Sequence, residues 1–306
     1  MGSPFTIILY ADDSVQANRL QEQSFKLVDS FVFIFSDYID SSELSKLSAT
    51  SGKDSMVQLS PAMFDMLLQS QKGFKESNGS FDISVGPLSK FWRRHRKLKQ
   101  FPMDDSVQIK KALVGFQKII IDTFNKKAKL TQPNMQLDLG GIAQGYIAQK
   151  ILDFLSDQGI KNALINVSGD IVMSDAPPGT SGWTVGINIP EEADELLPRN
   201  LLMKNKAVTT SGDVYQFIEH NGKRYSHIID PRTGYGITSQ RNVTVIDNDG
   251  TTADWLTKAC SILSIKKAKR LAERLHAEVL IAEMKKGKLI MHSTKGFSNY
   301  FAPATH

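Results

Sequence analysis

Apolar positions along this 306-residue chain follow two rhythms, and the changes between them mark the elements. Alternation in Phe5-Thr-Ile-Ile-Leu-Tyr10 predicts a strand, and the helical spacing of Leu20, Phe25, Leu27, Val28, Phe31 and Phe35 predicts a long helix over 14–36. A polar turn region over 38–47 carries Ser-Ser-Glu, which suits a helix cap. Ser60-Pro61 opens a further helix to about Ser77, closed by Asn78-Gly79. Phe81 to Leu88 then reads as a short strand and turn. Segments 117–122 and 127–131 form a hairpin around Phe124-Asn125-Lys126.

A helix from Gly141 buries Ala143, Ile147, Ile151 and Leu155, spaced by four. Strands follow at 162–167, 171–174, 183–189, 201–203 and 206–210, then at 224–229 and 242–247 on either side of Asp230-Pro-Arg-Thr-Gly234. Helices at 251–264 and 266–276 precede strands at 278–283 and 287–291. Long helices with meandering strands predict an α+β fold, a single compact unit with a largely antiparallel sheet lobe and packed helices. No internal repeat or low-complexity linker interrupts it.

Composition narrows the class without naming a function. A hydrophobic content of 41% and a charged content of 23% suit a globular chain, and its length allows a sizeable core. The net charge of +5 is spread along the chain except at Arg93-Arg94-His95-Arg96-Lys97. That run reads as a solvated basic loop, since no nucleic-acid motif or interleaved aromatic accompanies it. No nucleic-acid partner is expected. The single cysteine, Cys260, sits in an apolar run and reads as core. No apolar run reaches the 18 or so residues of a membrane span.

The most informative stretch is Leu137-Asp-Leu-Gly-Gly-Ile-Ala-Gln-Gly-Tyr146. It reads as a turn into a helix, either a glycine corner that approaches an anion at the helix N-terminus or a tight connection capped by Asp138. It lacks the GxGxxG spacing of a dinucleotide fingerprint. Asp254 is placed near a helix start, where the dipole favours it; alternatively its carboxylate, the Thr257 hydroxyl and a backbone carbonyl would suit a hard cation. His227 beside the Asp230 turn is either structural or a general base. Thr209-Thr-Ser-Gly-Asp213 is a ligand loop or a hairpin end.

The order of these motifs is more specific than any one of them. Phe81-Asp-Ile-Ser-Val-Gly-Pro-Leu88, Leu137 to Tyr146, Asn166-Val-Ser-Gly-Asp170, Thr210-Ser-Gly212, His227 to Gly234 and Ala253-Asp254 together resemble the ApbE family, FAD:protein FMN transferases formerly called thiamine biosynthesis lipoproteins. The likeness begins at Met1-Gly-Ser-Pro-Phe and covers nearly the whole chain, implying one ApbE-like domain over 1–306. It implies FAD contacts at Met1, Tyr38, Phe81, Asp82, Ile83, Asp138, Gln144 and Ile237, and Mg²⁺ held by the Gly141 carbonyl, Asp254 and Thr257.

The implied reaction is attack of a target-protein Ser or Thr hydroxyl on the FMN phosphorus of FAD, with loss of AMP. His227 is the candidate for activating that hydroxyl, with Asp230 beside it. The implied partner is a flavin-acceptor protein with a Ser/Thr flavinylation motif, a membrane redox subunit, and the implied location is periplasmic or lipid-anchored on that side after removal of a leader. Composition alone leaves the cytoplasm open.

Three positions depart from the family pattern: Gln144 stands for Lys or Glu, Ser48 for Asn, and Lys258 for Thr or Ala. Lys258 lies four residues after Asp254, where its ammonium either opposes Mg²⁺, replaces its charge, or reaches solvent. The alternative function is an FAD-binding or storage protein with weak transfer and slow hydrolysis of FAD to FMN and AMP.

Overall fold

Strands Ala163–Val167, Arg241–Asp247 and Glu278–Lys285 are buried over most of their length, unlike the half-buried alternation usual for antiparallel strands. The reason is visible in a computed structural model, which describes residues 4–187, 197, 199–212, 216–285 and 287–303. These strands belong to a seven-stranded sheet whose inner strands are covered on both faces, while its edge strands Phe5–Leu9 and Lys288–Ser293 stay partly exposed. Its order is Phe5–Leu9, Ala163–Val167, Asp170–Met173, Lys206–Ser211, Arg241–Asp247, Glu278–Lys285 and Lys288–Ser293, with every neighbouring pair antiparallel.

The chain divides into two compact units. The first comprises Met1–Ser30, Ile142–Val214 and Gln240–His306, and holds the large sheet. On one sheet face Leu164, Met173, Val208, Ile246 and Leu280 pack with Trp183, Leu201, Met203 and Phe297. The opposite face carries Ile165, Val172, Val245 and Ile281, all buried, against helices Ala143–Asp157, Gly250–Ile262 and Ile265–Arg274. Asp170 shares this helix-covered face with Val172, two residues on in the same strand.

The second unit comprises Phe31–Gly141 and Tyr215–Ser239. Helix Pro61–Glu76 opens with Ser60 accepting from the Met63 N–H and Pro at the first turn. Ser42 caps helix Glu43–Ala49 in the same way, accepting from Ser45 N–H. The expected hairpin is present as Ile119–Asp122 and Lys127–Leu130, joined at its edge by Val57–Gln58.

Three expectations change. Phe81 to Leu88 is not a strand: a 3₁₀ turn, Ile83–Val85, runs into helix Gly86–Leu98 with Pro87 in its first turn. The Gly86-Pro87 pair therefore starts a helix instead of a loop. The basic run 93–97 lies on that helix, not on a loop. Helix Asp104–Lys111 and strand Phe217–His220 were not expected, because both are short and only weakly periodic. Trp92, buried with Leu88, Val107, Ile218 and Ile229, shows what holds them: a shared core, not local pattern.

Candidate active site

The glycine corner at 137–141 is built by hydrogen bonds from three separate motifs. Asp138 donates its N–H to the Ile83 carbonyl at 2.8 Å, while its Oδ1 accepts from the Gly140 N–H at 2.8 Å. Ser48 Oγ accepts from the Leu137 N–H at 3.2 Å, so this hydroxyl anchors the corner. Neither Gly140 nor Gly141 takes a left-handed φ, and the helix begins after both, at Ala143. At Gly140 the missing side chain serves close quarters: a Cβ there would lie 3.0 Å from Asp138 Oδ1.

Beside the corner in the same unit stands Arg93. Its Nη1 donates to Asp37 Oδ2 at 3.1 Å, its Nη2 is 3.8 Å from Asp138 Oδ2, and its guanidinium carbon is 4.3 Å from the centre of the Tyr38 ring. Tyr38 is 74% exposed, leaving its ring available to a ligand. Burial raises the Asp37 carboxyl above its ordinary range, with the Asp138 charge adding and Arg93 opposing. The structure thus brings Tyr38, Ile83 and Asp138 together through Arg93 and one backbone bond.

Asp82 faces inward instead. Its Oδ1 accepts from the Ser84 N–H and hydroxyl at 2.8 and 2.6 Å, and its Oδ2 from the Phe116 N–H at 3.0 Å. Burial raises its pKa despite these bonds. Phe81 and Ile83 are buried on either side. This carboxylate organises the turn.

His227 is half-buried, and its N–H donates to the Gln216 carbonyl at 2.8 Å. Asp230 is bound within its own turn: Oδ1 and Oδ2 accept from Arg232 Nε and Nη2 at 2.8 and 2.7 Å, and the Gly234 N–H donates to the Asp230 carbonyl at 2.8 Å. Ile237 closes that turn, its N–H donating to the Ile228 carbonyl at 2.9 Å. Met1 and Asp213 lie outside the described residues.

The first unit holds the remaining candidates. Asp254 is fully buried near the start of helix Gly250–Ile262, in its second turn. The helix cap is Asp249, which accepts from the Thr252 N–H at 2.7 Å. Asp254 Oδ2 accepts from the Gly145 N–H at 3.0 Å, a bond from the first turn of helix Ala143–Asp157. Its Oδ1 accepts from Lys258 Nζ at 3.0 Å. Thr257 Oγ1 donates to the Asp254 carbonyl at 2.7 Å and accepts from Lys258 Nζ at 3.2 Å.

Burial works against the Lys258 ammonium, but Asp254 and Asp170 carry its pKa above the ordinary value. Asp170 is pushed well up, by burial first and then by the Asp254 charge. Gln144 is half-buried at the second position of helix Ala143–Asp157.

Mg²⁺ binds oxygens at roughly 2.0–2.1 Å in near-octahedral geometry. Here both Asp254 oxygens and the Thr257 hydroxyl already have partners, and an ammonium sits within 3.2 Å of the two side chains. The Asp254–Thr257 pair therefore does not fit Mg²⁺. Among the described residues no group of three or more His, Cys, Asp or Glu could hold a metal.

The model of the ApbE family matches residues 1–281. The chain belongs to the ApbE family. A protein named FAD:protein FMN transferase from Klebsiella pneumoniae (strain 342) is 31% identical over 269 residues, covering 87% of this chain and 81% of that protein. One of the same name from Haemophilus influenzae is 25% identical over 305 residues, covering 97% and 88%. The crystal structure of the flavinyl transferase ApbE of Pseudomonas stutzeri, in its apo form, matches with a TM-score of 0.87 at 25% identity, covering 100% of this chain and 95% of that one.

Within this ApbE-family chain, sequence reasoning missed two contributors. Arg93 stands inside a basic run that hides it, and the signal that points to its helix is the four-residue spacing of Leu88 and Trp92 after Pro87. Asp170 carries no local signal of a role, because nothing in its own stretch shows that its strand face is covered by helices.

Proposed function

We propose that this chain is a flavin transferase that moves FMN from FAD to a Ser or Thr hydroxyl of a target protein. The hydroxyl oxygen bonds to the FMN phosphorus, the phosphoanhydride bond to AMP breaks, AMP leaves, and the hydroxyl proton passes to a base. The observation that carries the reading is the Asp138 N–H to Ile83 bond, which joins two family motifs beside Tyr38 and Arg93. An aromatic face, a guanidinium and a half-buried carboxylate are the groups that hold a flavin nucleotide by stacking and charge.

His227 is the proposed base, its imidazole standing half-buried three residues before the Asp230 turn. Asp230 supports it by fixing the turn that follows, through Arg232. Met1, Phe81, Asp82, Gln144 and Ile237 complete the proposed FAD-binding set, with Asp82 acting through the turn it organises. The Gly141 carbonyl, Asp254 and Thr257 were the expected Mg²⁺ ligands; because Asp254 and Thr257 are already bonded, no step is routed through that metal.

The proposed partner is an acceptor with a Ser/Thr flavinylation motif on a membrane redox subunit, met on the periplasmic side. No described helix is long and apolar enough to cross a membrane.

The lysine contact also favours a second reading, an FAD-binding protein that transfers weakly and hydrolyses FAD slowly. Incubation with FAD and a motif-bearing acceptor separates the two. Transfer gives a fluorescent acceptor band that survives denaturation, with one AMP per flavin. AMP and free FMN without the band indicate hydrolysis, and bound FAD without AMP indicates storage; either result overturns the transferase reading.

A further inference from the structure

We propose that Lys258 is a built-in cation that takes the place of a divalent metal at Asp254, so that this chain binds no Mg²⁺ there and cleaves FAD without it. Asp254 is fully buried and Asp170 is 3% exposed, both in the first unit. Burial and the Asp254 charge favour the neutral form of Asp170, whereas the Asp254 carboxylate in a low-dielectric interior requires compensating charge, because desolvation is otherwise expensive. The chain supplies it from the same helix, four residues on, where side chains meet.

The geometry matches what a bound cation would do. Lys258 Nζ lies 3.0 Å from Asp254 Oδ1 and 3.2 Å from Thr257 Oγ1, holding the same carboxylate and hydroxyl that a hard cation would take. A divalent ion within bonding distance of Asp254 Oδ1 would lie close to the ammonium and be repelled by it. The third oxygen needed for the arrangement, Asp254 Oδ2, is held by the Gly145 N–H at 3.0 Å, where the helix N-terminus adds partial positive charge.

An ammonium carries three N–H donors, and Asp254 and Thr257 take two of them among the described residues. The Lys258 side chain retains 20% exposure, and the proposal assigns the remaining N–H to an anionic oxygen such as a pyrophosphate oxygen. That part rests on the proposed FAD cleavage. The metal exclusion does not.

Two measurements keep the parts separate. Mn²⁺, a spectroscopic substitute for Mg²⁺, is titrated into the full chain without FAD and followed by electron paramagnetic resonance. The wild type should show no Asp254-dependent binding, and Lys258→Thr should gain one bound Mn²⁺ that Asp254→Asn removes in the double variant. AMP release from FAD is then measured with EDTA or with Mg²⁺. The wild-type rate should be the same in both, while Lys258→Thr should fall about 100-fold in EDTA and recover with Mg²⁺.

Wild-type Mn²⁺ binding that disappears in Asp254→Asn overturns the proposal, as does loss of wild-type AMP release in EDTA that Mg²⁺ restores. If Lys258→Thr does not fold, the wild-type titration and the EDTA comparison still decide. Absence of AMP release under every condition defeats the transferase reading, and the Mn²⁺ titration still tests the built-in cation.

Discussion

The backbone N–H of Gly145 donates to Asp254 Oδ2 at 3.0 Å, joining the first turn of one helix to the second turn of another. The bond is possible because the helices nearly touch at this point. A Cβ on Gly145 would lie 2.1 Å from the Gly250 carbonyl oxygen and 2.6 Å from Asp254 Cβ. Gly145→Ala is therefore expected to push the helices apart and cost about 2–3 kcal/mol, read as a lower urea midpoint at unchanged slope. An unaltered midpoint would show that the two backbones have room to spare.

Asp82 predicts a stability effect of a different origin. Its carboxylate accepts from two buried backbone N–H groups, Ser84 and Phe116, and from the Ser84 hydroxyl. Asp82→Ala strands all three and should cost about 3 kcal/mol, measured by chemical denaturation. If FAD affinity falls while the midpoint stays, Asp82 is a direct ligand and not an organiser of the turn.

Arg93 holds Asp37, approaches Asp138 and covers the Tyr38 ring. Arg93→Ala should weaken FAD binding about tenfold, or ~1.4 kcal/mol, by flavin fluorescence titration, with a small change in denaturation midpoint. Arg93→Lys should not restore affinity, since an ammonium cannot stack and bridge two carboxylates as a planar guanidinium does. Full rescue by lysine would reduce the role of Arg93 to bare charge.

His227→Ala should slow flavin transfer about 100-fold or more, within the range for loss of a general base, while leaving FAD affinity near wild type. An equal loss of affinity and rate would make His227 structural. Its pH profile supplies a second reading, because removal of the base should flatten the rise of rate with pH.

Cys260 is fully buried, and burial pushes its thiol up to about 12 from 9.0. The native thiol should resist thiolate-directed reagents at pH 8 and react fully in denaturant. The folded pKa is the higher one, so this contribution to stability is complete below pH 9.0 and is lost as pH rises toward about 12. Rapid native labelling at pH 8 would contradict that burial.

Much of the fold is legible in the sequence because its signals are local. Ser60-Pro61 sets a helix start through one hydroxyl and one fixed φ, and the four-residue spacing of Ile147, Ile151 and Leu155 sets a buried helix face. The hairpin at 119–130 follows from apolar runs around a polar turn. Helix Gly86–Leu98 was hidden because Gly-Pro has two local meanings, and only the core around Trp92 selects one.

The candidate site divides along the same line. The sequence by itself determined the ordered motifs, the family they resemble, and that Lys258 follows Asp254 by one helical turn. Tertiary structure decided what those residues face. It turned Asp82 inward, drew Arg93 to Tyr38 and Asp138, placed Asp170 on the covered face of the sheet, and buried Asp254 against the Gly145 N–H. Periodicity and spacing record which side of an element is apolar, whereas the partner of a buried charge is chosen by packing between segments far apart in the chain.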